Sequence, residues 1–262
     1  MNGGRVREAF REGSTALVPY LTGGYPSLVG AREVGEAYLE AGADVVEIGV
    51  PFSDPLADGP TIQDTATRAL QNGADLDYCL DLASGFSGRV PAVFLLYYNV
   101  IFVRGAERFL REAADAGVSG LVIPDLPVDE AGRFAERAAE AGVAFCPLVA
   151  PTSTDERVSR VGEMASGFVY CVSVAGVTGV RDALPPGAVG LLRRVRARTD
   201  APVALGFGIG SPEAAVEAAG EADGIIIGSK LMRLVDEGGA ERAGGWLRGV
   251  REALSGVVKA GG

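Results

Sequence analysis

The sequence predicts an α/β fold, a single (β/α)8 TIM barrel over residues 1–262 with an extra N-terminal helix, and three observations carry that prediction. Short β-branched, apolar runs alternate with longer amphipathic segments of Ala, Glu and Arg, the pattern of parallel strands each followed by a helix, and the runs number eight. Three of the intervening segments end alike, at Glu40-Ala41-Gly42-Ala43-Asp44, Asp115-Ala116-Gly117-Val118 and Glu140-Ala141-Gly142-Val143, each with a glycine able to take the left-handed turn that releases the next strand. A length of 262 residues with 48% hydrophobic content suits one large core rather than two small ones.

Taken in order, Arg5 to Glu12 reads as an amphipathic helix able to cover the bottom opening of the barrel. The predicted strands are Ala16 to Leu21, Val45 to Gly49, Ala92 to Tyr97, Gly120 to Ile123, Ala144 to Val149, Phe168 to Val172, Val203 to Leu205 and Gly224 to Ile227. The second strand carries a carboxylate, Glu47, and is followed by a long loop, Pro51 to Pro60. The third is followed by Tyr98 to Val103, which is unusually apolar for a loop and fits either a buried subunit contact or an unrecognised helix start. Glycine-rich turns follow the last three strands: Ala175-Gly176-Val177-Thr178-Gly179, Gly206-Phe207-Gly208-Ile209-Gly210 and Gly228-Ser229.

Composition narrows the chemistry. Thirty-four acidic against 24 basic side chains give a net charge of -10, which opposes nucleic-acid binding, and the chain lacks both a signal-like start and an apolar run long enough for a membrane span. A cytoplasmic protein is expected. Cys79, Cys146 and Cys171 form no C-x-x-C pair and read as buried thiols. With no histidine, acid–base work falls to carboxylates, tyrosines, the two lysines Lys230 and Lys259, or water, and no metal site is expected.

In this fold catalytic groups sit at the C-terminal ends of strands. Glu47 occupies such an end within an apolar run, where burial favours the proton-donating form; the competing reading is a structural carboxylate bonded to backbone or arginine. The loop beyond it holds three prolines and two more carboxylates, of which Asp58 is either a substrate group or a cap for the helix starting near Pro60. The three glycine turns fall where barrels bind phosphate, and Ser211-Pro212-Glu213 marks a helix N-terminus beside them. Gly206-x-Gly208-x-Gly210 lacks the spacing of a dinucleotide fingerprint. Tyr20, Ile62, Leu95, Tyr170 and Phe207 fall at or beyond the predicted top, as pocket lining for an aromatic ligand or as plain core.

The run Val46-Glu47-Ile48-Gly49-Val50-Pro51-Phe52-Ser53-Asp54-Pro55-Leu56-Ala57-Asp58-Gly59-Pro60 resembles the signature of tryptophan synthase alpha subunits, and Thr22-Gly23-Gly24-Tyr25-Pro26, Pro124-Asp125-Leu126-Pro127, Ala175-Gly176-Val177-Thr178-Gly179 and Gly206-Phe207-Gly208-Ile209 extend the resemblance over the chain. The resemblance implies a retro-aldol cleavage of indole-3-glycerol phosphate to indole and glyceraldehyde 3-phosphate. In it Glu47 transfers protons, Asp58 binds the indole nitrogen, Gly179, Gly208, Gly228 and Ser229 cradle the phosphate, and Tyr20, Ile62, Leu95, Tyr170 and Phe207 surround the substrate. It implies no cofactor on this chain and a pyridoxal-phosphate beta subunit as partner in an αββα heterotetramer; the Phe52-to-Pro60 loop and the Tyr98-to-Val103 segment, lying after strands two and three, are expected to form its docking surface at the top of the barrel. One departure is Val174, where many members carry arginine; the Ser-Val form resembles free-standing lyases that release indole. The rivals are another phosphate-binding barrel such as a phosphosugar isomerase, which would lack the Glu47-to-Pro60 signature, and a catalytically silent barrel, which would have lost the two carboxylates.

Overall fold

The computed structural model describes residues 3–172, 184, 187–206 and 208–257. Gly179, Phe207, Val174 and Lys259 lie outside the described residues. Within them the strands are β1 (Ala16–Thr22), β2 (Val46–Gly49), β3 (Ala92–Leu95), β4 (Val118–Val122), β5 (Ala144–Phe145), β6 (Leu148–Val149), β7 (Val169–Cys171), β8 (Val203–Leu205) and β9 (Gly224–Ile227), all pairing in parallel in the order β5-β4-β3-β2-β1-β9-β8-β7-β6. The two ends of that order are halves of one predicted strand. Cys146 N–H donates to the Leu121 carbonyl on β4 at 2.9 Å, while Tyr170 N–H on β7 donates to the Pro147 carbonyl at 2.9 Å. Proline has no N–H to continue the β4 ladder, so the strand passes from one neighbour to the other at Pro147, and the eight-stranded barrel closes there.

Side chains alternate across each strand, and the two sets form separate cores. Residues turned outward, such as Leu17, Ile48, Phe94, Leu121 and Ile225, pack beneath the surrounding helices. Those turned inward, among them Val18, Val45, Val93, Val122, Cys146, Phe168, Tyr170, Ala204 and Ile226, fill the barrel. The predicted N-terminal helix is present as Gly3–Ala9 and does cover the bottom: Val6 is fully buried with the inward set, and the Phe10 ring lies 5.1 Å from that of Phe168. Burying Val6 alone is worth about 1.5–3 kcal/mol. Glycines take the left-handed turn at 42, 117 and 142, with φ of 87°, 82° and 75°, where the sequence pattern placed helix ends. All three cysteines are free and buried.

Two boundaries differ in an informative way. The predicted third strand ends early, at Leu95, because Tyr97 becomes the N-cap of a helix, Tyr98–Arg104, so the apolar segment is a helix and not a loop. Its Ile101 is buried and Tyr98 packs edge-on against Phe134 at 5.9 Å, but Phe102 and Val103 are 73% and 78% exposed. The long C-terminal element Ser229–Ser255 is two helices joined at a kink, with non-helical backbone at Gly238 and Gly239. No helix among the described residues is long and apolar enough to cross a membrane.

Candidate active site

Glu47 stands on β2, paired in register with Tyr20 on β1 and Val93 on β3, and shares the inward parity of Val45 two residues earlier. It is only 1% exposed, and its Oε1 has no hydrogen-bond partner among the described residues. A structural carboxylate would hold an arginine or backbone N–H there. Burial, reinforced by the negative charge of Asp58, pushes the Glu47 carboxyl up to about 8.

Asp58 reaches the same region from the loop after β2. It does not cap the following helix, Pro60–Gln71: Gly59 is the N-cap, without a side-chain bond. Instead the Tyr97 hydroxyl donates to Asp58 Oδ2 at 3.1 Å, and the Asp58 carbonyl accepts from Gln63 Nε2 at 2.8 Å. The Ala57 N–H donates to the Tyr97 hydroxyl oxygen at 2.9 Å, and the Phe52 ring stacks on Tyr97 at 5.2 Å. Burial raises the Asp58 carboxyl to about 6, and the Tyr97 hydroxyl restrains that rise. Ser53 Oγ donates to Asp54 at 2.6 Å, which leaves Asp54 engaged locally at an exposed turn.

Tyr20 and Tyr170 are buried, and glycine makes room for each. A Cβ at Gly49 would fall 2.0 Å from the Tyr20 hydroxyl oxygen, and one at Gly206 would fall 2.2 Å from the Tyr170 ring. Burial raises both phenols above their ordinary range, so both remain neutral. The Tyr20 hydroxyl bonds Thr22 Oγ1 at 3.1 Å, Thr22 bonds Thr65 Oγ1 at 2.8 Å, and Thr65 donates to the Ile62 carbonyl at 2.9 Å. That buried chain ties β1 to the helix carrying Ile62. Leu95 is half-buried against the barrel interior, whereas Ile62 is half-buried against the outer core. The structure thus brings Glu47, Asp58, Tyr20 and Tyr170 within mutual electrostatic reach, while Phe207 is outside the described residues.

Two glycine turns are described. Gly208 has φ of 56°, and Ser211 caps the next helix through its Oγ, which accepts from Ala214 N–H at 3.2 Å. Gly228 and Ser229 open the C-terminal helix, whose first turn has no side-chain cap. Its N–H groups therefore offer an anion site at the positive end of the helix dipole. The third turn, with Gly179, lies outside the described residues.

A family model described as tryptophan synthase alpha chain matches residues 6–251. The tryptophan synthase alpha chain of Carboxydothermus hydrogenoformans is 44% identical over 238 residues, covering 88% of this chain and 89% of its own. That of Dehalococcoides mccartyi is 42% identical over 253 residues, covering 95% of this chain and 99% of its own. Among solved structures, a chain of Mycobacterium tuberculosis tryptophan synthase superposes with a TM-score of 0.89 at 35% identity, covering 99% and 98% of the two chains. The tryptophan synthase subunit alpha of Legionella pneumophila gives 0.89 at 30% identity, covering 97% and 99%.

Proposed function

The chain belongs to the tryptophan synthase alpha chain family, and on that premise we propose that Glu47 and Asp58 carry out the alpha reaction, the cleavage of indole-3-glycerol phosphate. It is a carbon–carbon lyase of tryptophan biosynthesis. What supports the two roles is the separation of the carboxyls by environment. At pH 7 a group at about 8 is mostly neutral and one at about 6 is mostly ionised, so Glu47 is set to donate a proton and Asp58 to accept a hydrogen bond.

In this reading neutral Glu47 delivers its proton to indole C3. The positive charge that results spreads to the ring nitrogen, whose N–H donates to the Asp58 carboxylate. The bond from C3 to the glycerol carbon then breaks, its electron pair returning to the ring, and the carbinol hydroxyl gives its proton to the Glu47 carboxylate as the aldehyde forms. Indole and glyceraldehyde 3-phosphate leave, and Glu47 is neutral again. The ring itself accepts electrons, so the scheme uses no cofactor on this chain. Tyr20, Leu95 and Tyr170, with Ile62 and Phe207, wall the substrate, and Gly179, Gly208, Gly228 and Ser229 hold its phosphate.

The family implies a beta-subunit partner. We assign pyridoxal phosphate to that subunit, an αββα stoichiometry to the assembly and a cytoplasmic setting to both. The exposed Phe102 and Val103 and the 93% exposed Leu56, on the two segments after β3 and β2, supply an apolar contact for it. Indole formation by the purified chain tests the catalytic scheme: Glu47→Gln should keep affinity for glycerol phosphate and lose at least ~100-fold in turnover. Near-normal turnover would remove Glu47 from the mechanism.

A further inference from the structure

We propose that Tyr97 is a positioning residue for the reaction: its hydroxyl holds the Asp58 carboxylate in the orientation and charge state that receives the indole nitrogen. The proposal rests on the reading of Asp58 given above. Tyr97 is a buried residue at the junction of β3 and the Tyr98–Arg104 helix, with the inward parity of Leu95, so rigid elements on both sides fix its ring. Its hydroxyl makes two bonds with complementary sense. It donates to Asp58 Oδ2 at 3.1 Å and accepts from the Ala57 N–H at 2.9 Å. The Phe52 ring stacks on its face at 5.2 Å with an interplanar angle of 25°. One phenol therefore grips the substrate loop at its start, near its end and through its catalytic side chain.

Burial is what opposes the charge of the Asp58 carboxylate. Of the titratable groups around it, Glu47 on β2 has its own ionisation disfavoured by Asp58, Tyr20 on β1 and Tyr170 on β7 are buried neutral phenols that feel Asp58, and Asp125 beyond β4 faces Tyr97. Among the described residues Tyr97 is the side chain that donates a hydrogen bond to Asp58. Its hydroxyl lowers a carboxyl that burial would otherwise raise further than about 6. Removing the hydroxyl should let the Asp58 carboxyl climb by about one unit, the usual worth of one such bond.

The test is Tyr97→Phe, which keeps the ring on Phe52 and deletes only the hydroxyl. Ionisation alone then gives a roughly fivefold loss of kcat/KM at pH 6 that nearly vanishes by pH 8, with the acid limb displaced upward by about one unit. Loss of orientation adds a smaller, pH-independent decrease. Affinity for indole in the presence of glycerol phosphate, measured across the pair Tyr97→Phe and Asp58→Asn, should show Tyr97→Phe costing nothing further once Asp58 is Asn. An unshifted acid limb, or an equal loss of indole affinity in the Asp58→Asn background, would overturn the proposal. A fully active Asp58→Asn would instead overturn the reading of Asp58 itself, and that result is obtained without Tyr97.

Discussion

Glu47→Gln offers a test of the buried acid that is independent of catalysis. The Glu47 carboxyl rises from its ordinary 4.5 to about 8 on folding, so the folded chain holds a proton that the unfolded chain gives up. The sign follows directly. A group raised on folding contributes its full stability below 4.5 and loses it progressively as pH climbs from 4.5 toward about 8. Glutamine is neutral throughout and has no such slope. Between pH 5 and pH 7 the parent should therefore lose about 3 kcal/mol relative to Glu47→Gln, two units at about 1.4 kcal/mol each. For a barrel of this size that corresponds to a relative melting shift of roughly 5–10 °C. Scanning calorimetry of both proteins at pH 5, 6 and 7 reads it. A constant difference in melting temperature over that range would mean that Glu47 is already ionised in the folded chain, and the proton-donor role at neutral pH would fail with it.

Three further outcomes are expected. The nearest atoms to a Cβ at Gly228 belong to Tyr20, at an ordinary 3.7 Å, so Gly228→Ala should fold normally yet weaken inhibition by glycerol phosphate about tenfold; unchanged inhibition would place the phosphate elsewhere. Gly49→Ala drives its methyl to 2.0 Å from the Tyr20 hydroxyl oxygen and should destabilise by about 1–3 kcal/mol, with much of that recovered in Gly49→Ala combined with Tyr20→Ala; strictly additive losses in urea unfolding would show the two sites to be uncoupled. Phe102→Asp should weaken binding of a beta subunit and its stimulation of turnover while sparing the isolated chain, and normal association, read by titration calorimetry, would relocate the docking surface.

The barrel was legible because its signals are local and repeated: glycines at the three helix ends, apolar runs for the strands, and a carboxylate in one of them. The split at Pro147 was not, since a run from Ala144 to Val149 looks continuous until hydrogen bonds show which neighbour each half addresses. Tyr98 to Val103 leaves two readings open in the sequence, a subunit contact or a helix start, because Phe102 and Val103 face solvent and break the apolar periodicity that Tyr98 and Ile101 alone would give; the structure shows the helix. Within the site, Glu47 was found from its position in a strand. Tyr97 was passed over as the last residue of a strand, although its parity with Leu95 already turned it inward; what sequence cannot supply is that a loop starting some forty residues earlier folds back onto it. The Thr22 and Thr65 hydroxyl chain is invisible for the same reason, as its partners come from two different elements.

The plug at the bottom of the barrel has a consequence for isotopes. Val6 and Phe10 close the lower opening, and the barrel interior beneath and beside Glu47 is packed with Val18, Val45, Val93 and Phe168 and with the buried Cys146, whose thiol burial keeps protonated. Among the described residues this packing leaves the mouth, where the substrate itself sits during the proposed reaction, as the direct route for hydrogen to Glu47. In the proposed scheme the hydrogen surrendered by one glycerol hydroxyl is the hydrogen next delivered to an indole C3, so label can pass from one substrate molecule to the following one. The isotopic content of the released indole then records how often water visits the mouth between turnovers, and a partner that keeps the mouth covered would lengthen that memory.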